Sequence, residues 1–301
     1  MRWRLTIPNI DATGISTSAT ALTGGGNSVG ITLCSFWLNG PINTTSTGIN
    51  LGAFGSGALI RDLIVFYFGI GIRLDFTQMV RLEGNNLQQS QRYDLYINGG
   101  SGITTIGNLF ANAASTGTNP GGANVAISGG AFGIAIYDSV IDEAFSSGSS
   151  SIYIGNASDI RISNSLIYFV SGGYGISIGD GTNNPTRVSL TNIRIGPFAG
   201  NRVPINTIRI YGSGHVLKNV TTNPNGGGDI RDNTNDSVYI NVNYKTLLSG
   251  GLQQLPVNPK PACNSDTVGT TWFTPGATGV KDTYEICAKD ATNNYAWRTL
   301  Y

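Results

Sequence analysis

Four acidic side chains in the middle of the chain are candidates for hydrolysing a glycosidic bond. Asp142 and Glu143 stand together at the end of an alternating apolar stretch, and Asp159 and Asp180 follow. A hydrolase needs two carboxyl groups about 5 to 10 Å apart, one as the acid and one as the base or nucleophile. Adjacent strand residues point to opposite faces, so only one of Asp142 and Glu143 can serve. We predict Asp142, Glu143 and Asp180 as catalytic candidates, although solvated surface acids would look the same.

Arginine side chains offer a different chemistry. A lyase must neutralise and deprotonate a uronate, and it can hold Ca²⁺ between clustered carboxylates. Arg161, Arg187, Arg194 and Arg209 occupy positions predicted to face outward. The sequence contains no tight Asp/Glu cluster, so no metal or cofactor is predicted, and Ca²⁺ is expected only for a lyase. Plain solubilising arginines on an exposed strand are the alternative.

Aromatic side chains could bind a sugar chain rather than cleave it. Aromatic faces suit the C–H surfaces of carbohydrates, and rings aligned in a strip would suit an extended glycan. The alternatives are that the tyrosines cover apolar surface or fill a subunit contact, and that the tryptophans form the core of their own domain. The predicted carbohydrate-binding residues are Tyr137, Tyr153, Tyr168, Tyr174, Tyr211, Trp272 and Trp297.

The composition indicates a β-rich protein and argues against several partners. Charged residues make up 12% of the chain, glycine occurs 42 times, and the net charge is +1 with one histidine. A balanced charge without a basic cluster argues against nucleic acid as a partner. The sequence has no apolar run of about eighteen residues, so no membrane span is predicted.

One short pattern positions the candidate side chains, because it recurs along nearly the whole chain. It reads apolar, any residue, apolar, any residue, and then Asn, Asp or Ser, at intervals of 23 to 30 residues. Period-two alternation gives a strand with one buried face, and the polar residue favours a turn at the same place in each coil. We predict an all-β parallel β-helix (a β-solenoid) of about nine coils with two or three strands per coil. Ile136, Ile162 and Leu190 should then lie directly above one another. The turn position falls on Asn9, Ser35, Asp62, Asn85, Asn108, Asp138, Asn164, Asn192 and Asn219.

Titratable residues within this ladder are predicted to be structural. His215 aligns with the inward residues Ile160 and Val188, which favours a buried structural role over a catalytic one. Asp62 and Asp138 occupy the turn position itself, where a turn-forming role is the simpler interpretation.

From residue 1 to about 243 the pattern resembles the pectin-lyase-like right-handed parallel β-helices, which include pectate lyases, polygalacturonases and many phage tailspikes. The resemblance implies right-handed winding, a polysaccharide partner, and an extracellular, cell-surface or virion location. The tailspike members further imply a homotrimer. The segment Gly172 to Asp180 is similar to a polygalacturonase coil, but Tyr174 stands where that coil has histidine. The polygalacturonase mechanism is therefore not expected.

The chain is predicted to divide into a long repeat and a small C-terminal domain. We place the β-helix at residues 1–244, a Pro- and Gly-rich linker at 245–262 and a small β domain at 263–301. At about forty residues this last domain cannot bury much surface, and a Cys263–Cys287 disulfide would staple it. It resembles small modules that end many phage and bacterial surface proteins, through Cys263, Gly269, Cys287, Tyr295 and Trp297.

Three functional hypotheses follow. The first is an extracellular or virion surface protein, tailspike-like or adhesin-like, that recognises polysaccharide. The second is a secreted polysaccharide lyase or glycoside hydrolase. The third is a structural filament or sheath subunit that assembles end to end. The pattern begins at Leu5 and leaves no room for an N-terminal cap. An open solenoid end exposes strand edges, which we expect either an upstream domain or a partner subunit to cover.

Overall fold

Apart from a 3₁₀ residue at Ala53, the regular elements of the computed structural model are strands throughout the residues it describes, which confirms the all-β class. Thirty strands are numbered β1 to β30 along the chain. No helix in this part of the chain is long and apolar enough to cross a membrane. The structure describes residues 3–6, 13–17, 32–41, 44–53, 56–113, 122–144, 148–169, 173–197, 206–222, 229–234, 236–242, 246–249, 262–265, 268, 271–274, 281 and 283–300.

The first sheet contains seventeen parallel strands, because most coils contribute strands on both sides of a corner. These strands are β1 (Trp3–Thr6), β3 (Thr32–Cys34), β4 (Phe36–Asn39), β6 (Leu59–Arg61), β7 (Ile64–Phe66), β9 (Arg81–Glu83), β10 (Asn86–Gln88), β12 (Thr104–Ile106), β13 (Leu109–Ala113), β15 (Ala131–Phe132), β16 (Ala135–Tyr137), β17 (Val140–Ala144), β19 (Ala157–Ser163), β20 (Leu166–Phe169), β22 (Thr186–Pro197), β24 (Val216–Thr222) and β26 (Val238–Ile240).

The second sheet stacks ten parallel strands, one from each coil. The coil count therefore differs from the nine that the sequence pattern predicts. One reason lies in β26, where Tyr239 is half-buried while Val238 and Ile240 are exposed, the reverse of the pattern. The ten strands are β2 (Thr13–Thr17), β5 (Thr47–Leu51), β8 (Ile70–Asp75), β11 (Tyr93–Asn98), β14 (Ala123–Ser128), β18 (Ser150–Ile154), β21 (Tyr174–Ile178), β23 (Asn206–Ile210), β25 (Asp229–Asp232) and β27 (Thr246–Ser249).

Inward side chains stack in register along the first sheet. Ile136 pairs with Ile162, and Ile162 pairs with Leu190, on consecutive parallel strands. None of the three has exposed surface, and burying each side chain contributes about 1.5 to 3 kcal/mol. The predicted column is confirmed, and it gives the outward residues a firm support.

The predicted turn position is correct for most coils. Asn and Asp reach the left-handed backbone region more easily than other side chains do, which is why they suit a repeated corner. Six predicted turn residues have φ between 49° and 57°: Ser35, Asp62, Asp138, Asn164, Asn192 and Asn219.

The prediction is wrong at three copies. Gly84 (φ 60°) and Gly107 (φ 63°) make the corner, so Asn85 and Asn108 follow it instead of forming it. Glycine reaches this conformation without a Cβ penalty, and the pattern did not allow for it. Asn9 lies outside the described residues, but β1 pairs with β4, which follows a corner. The first copy is therefore aligned to the wrong strand.

Asparagines form two ladders of different character. Asn85 and Asn108 are almost fully buried, and the Asn85 N–H donates to Asn108 Oδ1 at 2.9 Å. The corner asparagines lie at the surface, with Asn164 and Asn192 exposed and Asn219 half-buried. Asn219 Nδ2 donates to Asn192 Oδ1 at 2.9 Å, and Asn192 Nδ2 donates to Asn164 Oδ1 at 3.0 Å. Each amide thus bonds the next coil, and the stack fixes the register between coils.

His215 has no exposed surface, as predicted. The Val188 N–H donates to its Nδ1 at 3.2 Å, and its Nε2 lies 3.0 Å from the Tyr211 carbonyl oxygen. Burial lowers the pKa of His215 more than the Tyr211 hydrogen bond raises it. A neutral imidazole that ties two coils together fits the structural interpretation.

The C-terminal region forms a separate compact unit, Gln253–Tyr301. In the first unit, β27 pairs with β25, so the solenoid continues to Ser249 rather than ending at residue 244. The second unit holds an antiparallel sheet of β28 (Thr271–Thr274), β29 (Thr283–Lys289) and β30 (Tyr295–Thr299). It also contains the predicted Cys263–Cys287 disulfide.

Candidate functional site

The outward surface of the second sheet brings aromatic and charged side chains together. In β23, Ile208 and Ile210 are fully buried while the intervening Arg209 is partly exposed. Neighbouring strands lie about 4.8 Å apart, so outward residues of successive coils form continuous columns. We call this surface the tyrosine–arginine face; it comprises Arg73, Tyr93, Tyr96, Tyr153, Tyr174, Ser177, Asp180, Arg209, Tyr211 and Arg231.

A departure from simple alternation places extra tyrosines on this face. Near the start of β11, Asp94 and Leu95 are both fully buried. Tyr93 and Tyr96 on either side of them stack with ring centroids 5.0 Å apart. In β21, Gly175 and Ile176 are buried in the same way. Two consecutive buried residues let side chains three positions apart share one surface.

The end of the face nearer the N-terminus combines stacked rings with a paired charge. The Arg73 guanidinium lies 5.6 Å from the Tyr96 ring centroid, and Arg73 Nε donates to Asp75 Oδ2 at 2.6 Å. Ser128 donates its hydroxyl hydrogen to Tyr96 Oη at 3.2 Å. These contacts hold the Tyr96 ring in place without a ligand.

The other end of the face is organised around Arg209. Its guanidinium lies 4.3 Å from the ring centroid of Tyr174 and 5.8 Å from that of Tyr211. Nε and Nη2 both donate to the buried Ser177 Oγ, at 3.1 and 2.8 Å. Cation–π contacts of this kind strengthen as water is excluded. The two rings and the Ser177 hydroxyl together hold the Arg209 guanidinium in one position.

Tyr153 and Asp180 form a third fixed element. The Tyr153 hydroxyl donates to Asp180 Oδ2 at 2.9 Å, and burial together with this hydrogen bond raises the pKa of Tyr153. Burial also raises the pKa of Asp180, but hydrogen bonds from Asn183, Thr182 and Tyr153 outweigh it and lower that pKa to about 2. Asp180 is therefore ionised at neutral pH and acts as an acceptor that orients Tyr153.

The predicted catalytic acids Asp142 and Asp180 lie at different places along the coil, and their pairing stays a prediction. Asn124, near the start of β14, donates to the Asp142 carbonyl oxygen at 2.9 Å, whereas Asp180 comes after the end of β21. Asp142 and Asp180 therefore lie near opposite ends of the strands, and no contact between their two carboxyl groups occurs among the described residues. The side chain of Glu143 lies outside the described residues.

Asp142 itself has an unusual environment. Its carboxyl group is half-buried, and burial raises its pKa. Its Oδ1 is enclosed without a hydrogen-bond partner among the described residues. A raised pKa makes the protonated form of a carboxyl group more accessible, and that form is the one a general acid requires.

Tyr137 lies apart from the tyrosine–arginine face, beside a shallow cavity of about 310 Å³ on the first sheet. Phe132, which is 53% exposed, also lines this cavity, as do Asp159 and Arg161. Asp159 accepts two hydrogen bonds of 2.7 Å from Arg187, which lowers the Asp159 pKa.

The other predicted binding residues are also dispersed. Tyr168 is half-buried on the first sheet, and Arg194 is exposed there. Trp297 is half-buried in the C-terminal unit, where it pairs with Cys287 across two strands. The side chain of Trp272 lies outside the described residues. Of the seven predicted residues, the structure collects Tyr153, Tyr174 and Tyr211 on one face.

Sequence reasoning missed Arg73, Tyr93, Tyr96 and Arg231. The signal was available, because Leu95 and Ile97 alternate with Tyr96 as apolar residues do in the recognised strands. No group of three or more His, Cys, Asp or Glu side chains that could hold a metal ion occurs within the described ranges.

Comparison with known proteins bears on the fold. No protein-family model matches the chain, and no curated protein matches it in sequence. The solved enzymatically active domain of bacteriophage CBA120 tailspike protein 2 matches with a TM-score of 0.52 and 12% identity, over 85% of this chain and 50% of that one. ORF18 of Geobacillus virus E2 matches with a TM-score of 0.51 and 12% identity, over 99% and 64%. The chain spans less than two thirds of either neighbour, and it has the parallel β-helix fold of a phage tailspike.

Proposed function

We propose that this chain is a tailspike-type surface protein that recognises an extended polysaccharide along the tyrosine–arginine face. One observation carries the proposal: six of the seven parallel strands from β8 to β25 present an outward tyrosine or arginine side chain, and β14 places the small residue Ala126 in the same column. Six strand spacings of about 4.8 Å give a strip roughly 29 Å long. A strip of that length suits an oligosaccharide better than a single sugar.

The fixed geometry of the face supports binding. Tyr153 is oriented by Asp180, and Arg209 is held by Ser177 and two rings. Side chains that are ordered before the ligand arrives lose less conformational entropy on binding. A rigid stack of parallel strands therefore makes a suitable platform for a flexible glycan.

The tailspike resemblance extends the proposal to location and assembly. It implies an extracellular, cell-surface or virion site and a homotrimer, as in pectin-lyase-like tailspikes. End-to-end association of β-helices is the rival arrangement, and it would make the chain a filament or sheath subunit. Mass in solution distinguishes a trimer from a monomer or an open polymer.

A glycan array followed by affinity measurements tests the proposal. Tyr174→Ala removes an aromatic side chain from the face, whereas Phe132→Ala removes an exposed ring from the first sheet. We expect Tyr174→Ala to raise the Kd about tenfold and Phe132→Ala to leave the Kd unchanged. Loss of binding in Phe132→Ala alone, or no polysaccharide binding by the wild type, would contradict the proposal.

Polysaccharide cleavage is the second candidate function, and the enclosed carboxyl group of Asp142 favours it. A protonated acid could donate a proton to a leaving glycosidic oxygen. Release of reducing ends from a bound polysaccharide, abolished by Asp142→Asn with binding retained, would establish this activity. Absorbance near 235 nm would indicate a lyase instead.

A further inference from the structure

Two arginines lie side by side near one end of the tyrosine–arginine face. Arg209 in β23 and Arg231 in β25 are register partners on adjacent parallel strands. Arg231 is exposed between the buried residues Ile230 and Asp232, so its side chain points outward like that of Arg209. Like charges directly opposite each other across neighbouring strands are destabilising. The repulsion between Arg209 and Arg231 therefore lowers the stability of the folded chain.

No carboxylate in the described part of the chain forms an ion pair with either guanidinium. The nearest acid in sequence, Asp232, is 1% exposed and accepts hydrogen bonds from Thr234 and Tyr239, at 2.8 and 2.6 Å for the Thr234 N–H and the Tyr239 hydroxyl. Four other arginines have an acid of their own, in the pairs Arg73–Asp75, Arg81–Glu83, Arg187–Asp159 and Arg298–Asp290. Arg61, Arg92, Arg161 and Arg194 have no ion pair among the described residues either, so the feature that distinguishes Arg209 and Arg231 is that they are register partners on adjacent strands.

Arg209 is also held ready for a ligand. Its Nε and Nη2 share Ser177 Oγ, and its Nη1 lies 3.5 Å from the Tyr174 hydroxyl. The guanidinium is only partly exposed, and a partly desolvated charge attracts an anion more strongly than a fully hydrated one. Because Ser177 occupies the Nε side, the edge formed by Nη1 and Nη2 is the part of the Arg209 guanidinium that can donate two parallel hydrogen bonds to a carboxylate or phosphate.

We infer that Arg209 and Arg231 form an anion site, so that the polysaccharide selected by this face carries an acidic group, a uronate carboxylate or a phosphodiester. The inference rests on the proposed function, because it assigns the substrate class of the same face. Binding of the anion would remove the repulsion between the two arginines. The rings of Tyr174 and Tyr211 would contact the sugars on either side of the acidic group.

Affinity measurements on matched polysaccharides test the inference. The probes are hyaluronan and polygalacturonate, each before and after chemical reduction of its carboxyl groups, a poly(glycerol phosphate) teichoic acid, and neutral dextran. We expect binding to a carboxylate or phosphodiester probe that weakens with added salt. Carboxyl reduction should abolish the preference where the carboxylate is the recognised group, and the teichoic acid arm identifies phosphate as that group.

Substitutions locate the site. Arg231→Gln changes an exposed side chain, so the variant should keep the fold of the wild type. Arg209→Gln removes the guanidinium that Ser177 and the two rings hold. Each should weaken binding to the acidic probe about tenfold, the usual effect of losing a charged hydrogen bond. Arg81→Gln, on the first sheet and already beside Glu83, is the matched control and should have no effect.

The outcomes separate this inference from the proposed function. Equal binding of native and carboxyl-reduced polysaccharide, or of neutral dextran alone, would overturn the acidic specificity and leave polysaccharide recognition intact. Acidic binding unaffected by Arg231→Gln and Arg209→Gln would place the anion site elsewhere and overturn the assignment. Binding only to neutral glycans of the array would overturn the acidic specificity alone, whereas no polysaccharide binding on the array would overturn the proposed function and this inference with it.

Discussion

The corner ladder of the first sheet and the tyrosine–arginine face of the second sheet arise from the same stacking of parallel strands, but they hold different side chains. At the corner, one residue type repeats, and Asn164, Asn192 and Asn219 bond each other in sequence. On the face, successive coils place tyrosine, serine and arginine in a single column. A column that repeats stabilises the coil, whereas an outward column that varies is free to recognise a ligand.

The same contrast explains how far the sequence could lead. Inward columns such as Ile136, Ile162 and Leu190 were predictable, since burial imposes one type of side chain on every coil. Corners were predictable where Asn or Asp supplies the left-handed residue, and they failed at Gly84 and Gly107, where glycine does so.

The candidate site was harder to predict. Tyr93 and Tyr96 share a face only because Asp94 and Leu95 are both buried, which breaks the period of two. The separation of Asp142 from Asp180 depends on which end of a strand each residue occupies. The repeat pattern predicts where a coil turns, but it does not predict how the strand ends of one coil align with those of the next.

The largest effect should come from an inward column. Ile162→Ala removes a fully buried side chain, and we expect the free energy of unfolding to fall by about 3 to 4 kcal/mol. Chemical denaturation followed by circular dichroism measures the change. The glycan affinity of the folded fraction should stay unchanged. A loss of affinity without a loss of stability would contradict the assignment of a purely supporting role to the inward column.

A buried acid beneath the second sheet gives a pH-dependent prediction. Burial raises the pKa of Asp94 well above its usual value, against the opposing hydrogen bonds from Ser90 and Asn124. The folded state therefore binds more protons than the unfolded state, and stability falls as pH rises above the unfolded pKa of about 3.9. Asp94→Asn should raise the free energy of unfolding at pH 8 by about 1 to 3 kcal/mol and have little effect at pH 3.

The matched control for Asp94→Asn is Asp62→Asn, which removes an exposed carboxylate at a corner where Asn fits the left-handed backbone. It should give no comparable gain between pH 3 and pH 8. A pH-independent effect of Asp94→Asn would show that the buried carboxyl group does not carry the excess proton.

The smallest effect should come from the exposed ladder. Asn192 has φ 54°, so Asn192→Ala should cost about 1 kcal/mol through left-handed strain and the lost amide bond. Asn192→Gly relieves the strain and should recover part of that loss. Thermal melts compare the two variants. A larger loss in the glycine variant would show that the side-chain amide, rather than the backbone, controls the corner.

Hydroxyl-radical footprinting with and without a bound polysaccharide tests the central claim most directly. Oxidation of Tyr96, Tyr153, Tyr174 and Tyr211 should decrease when the glycan binds, while oxidation of Tyr137 and Phe132 on the first sheet should not change. Protection confined to Tyr137 and Phe132 would place the glycan on the first sheet and contradict the account.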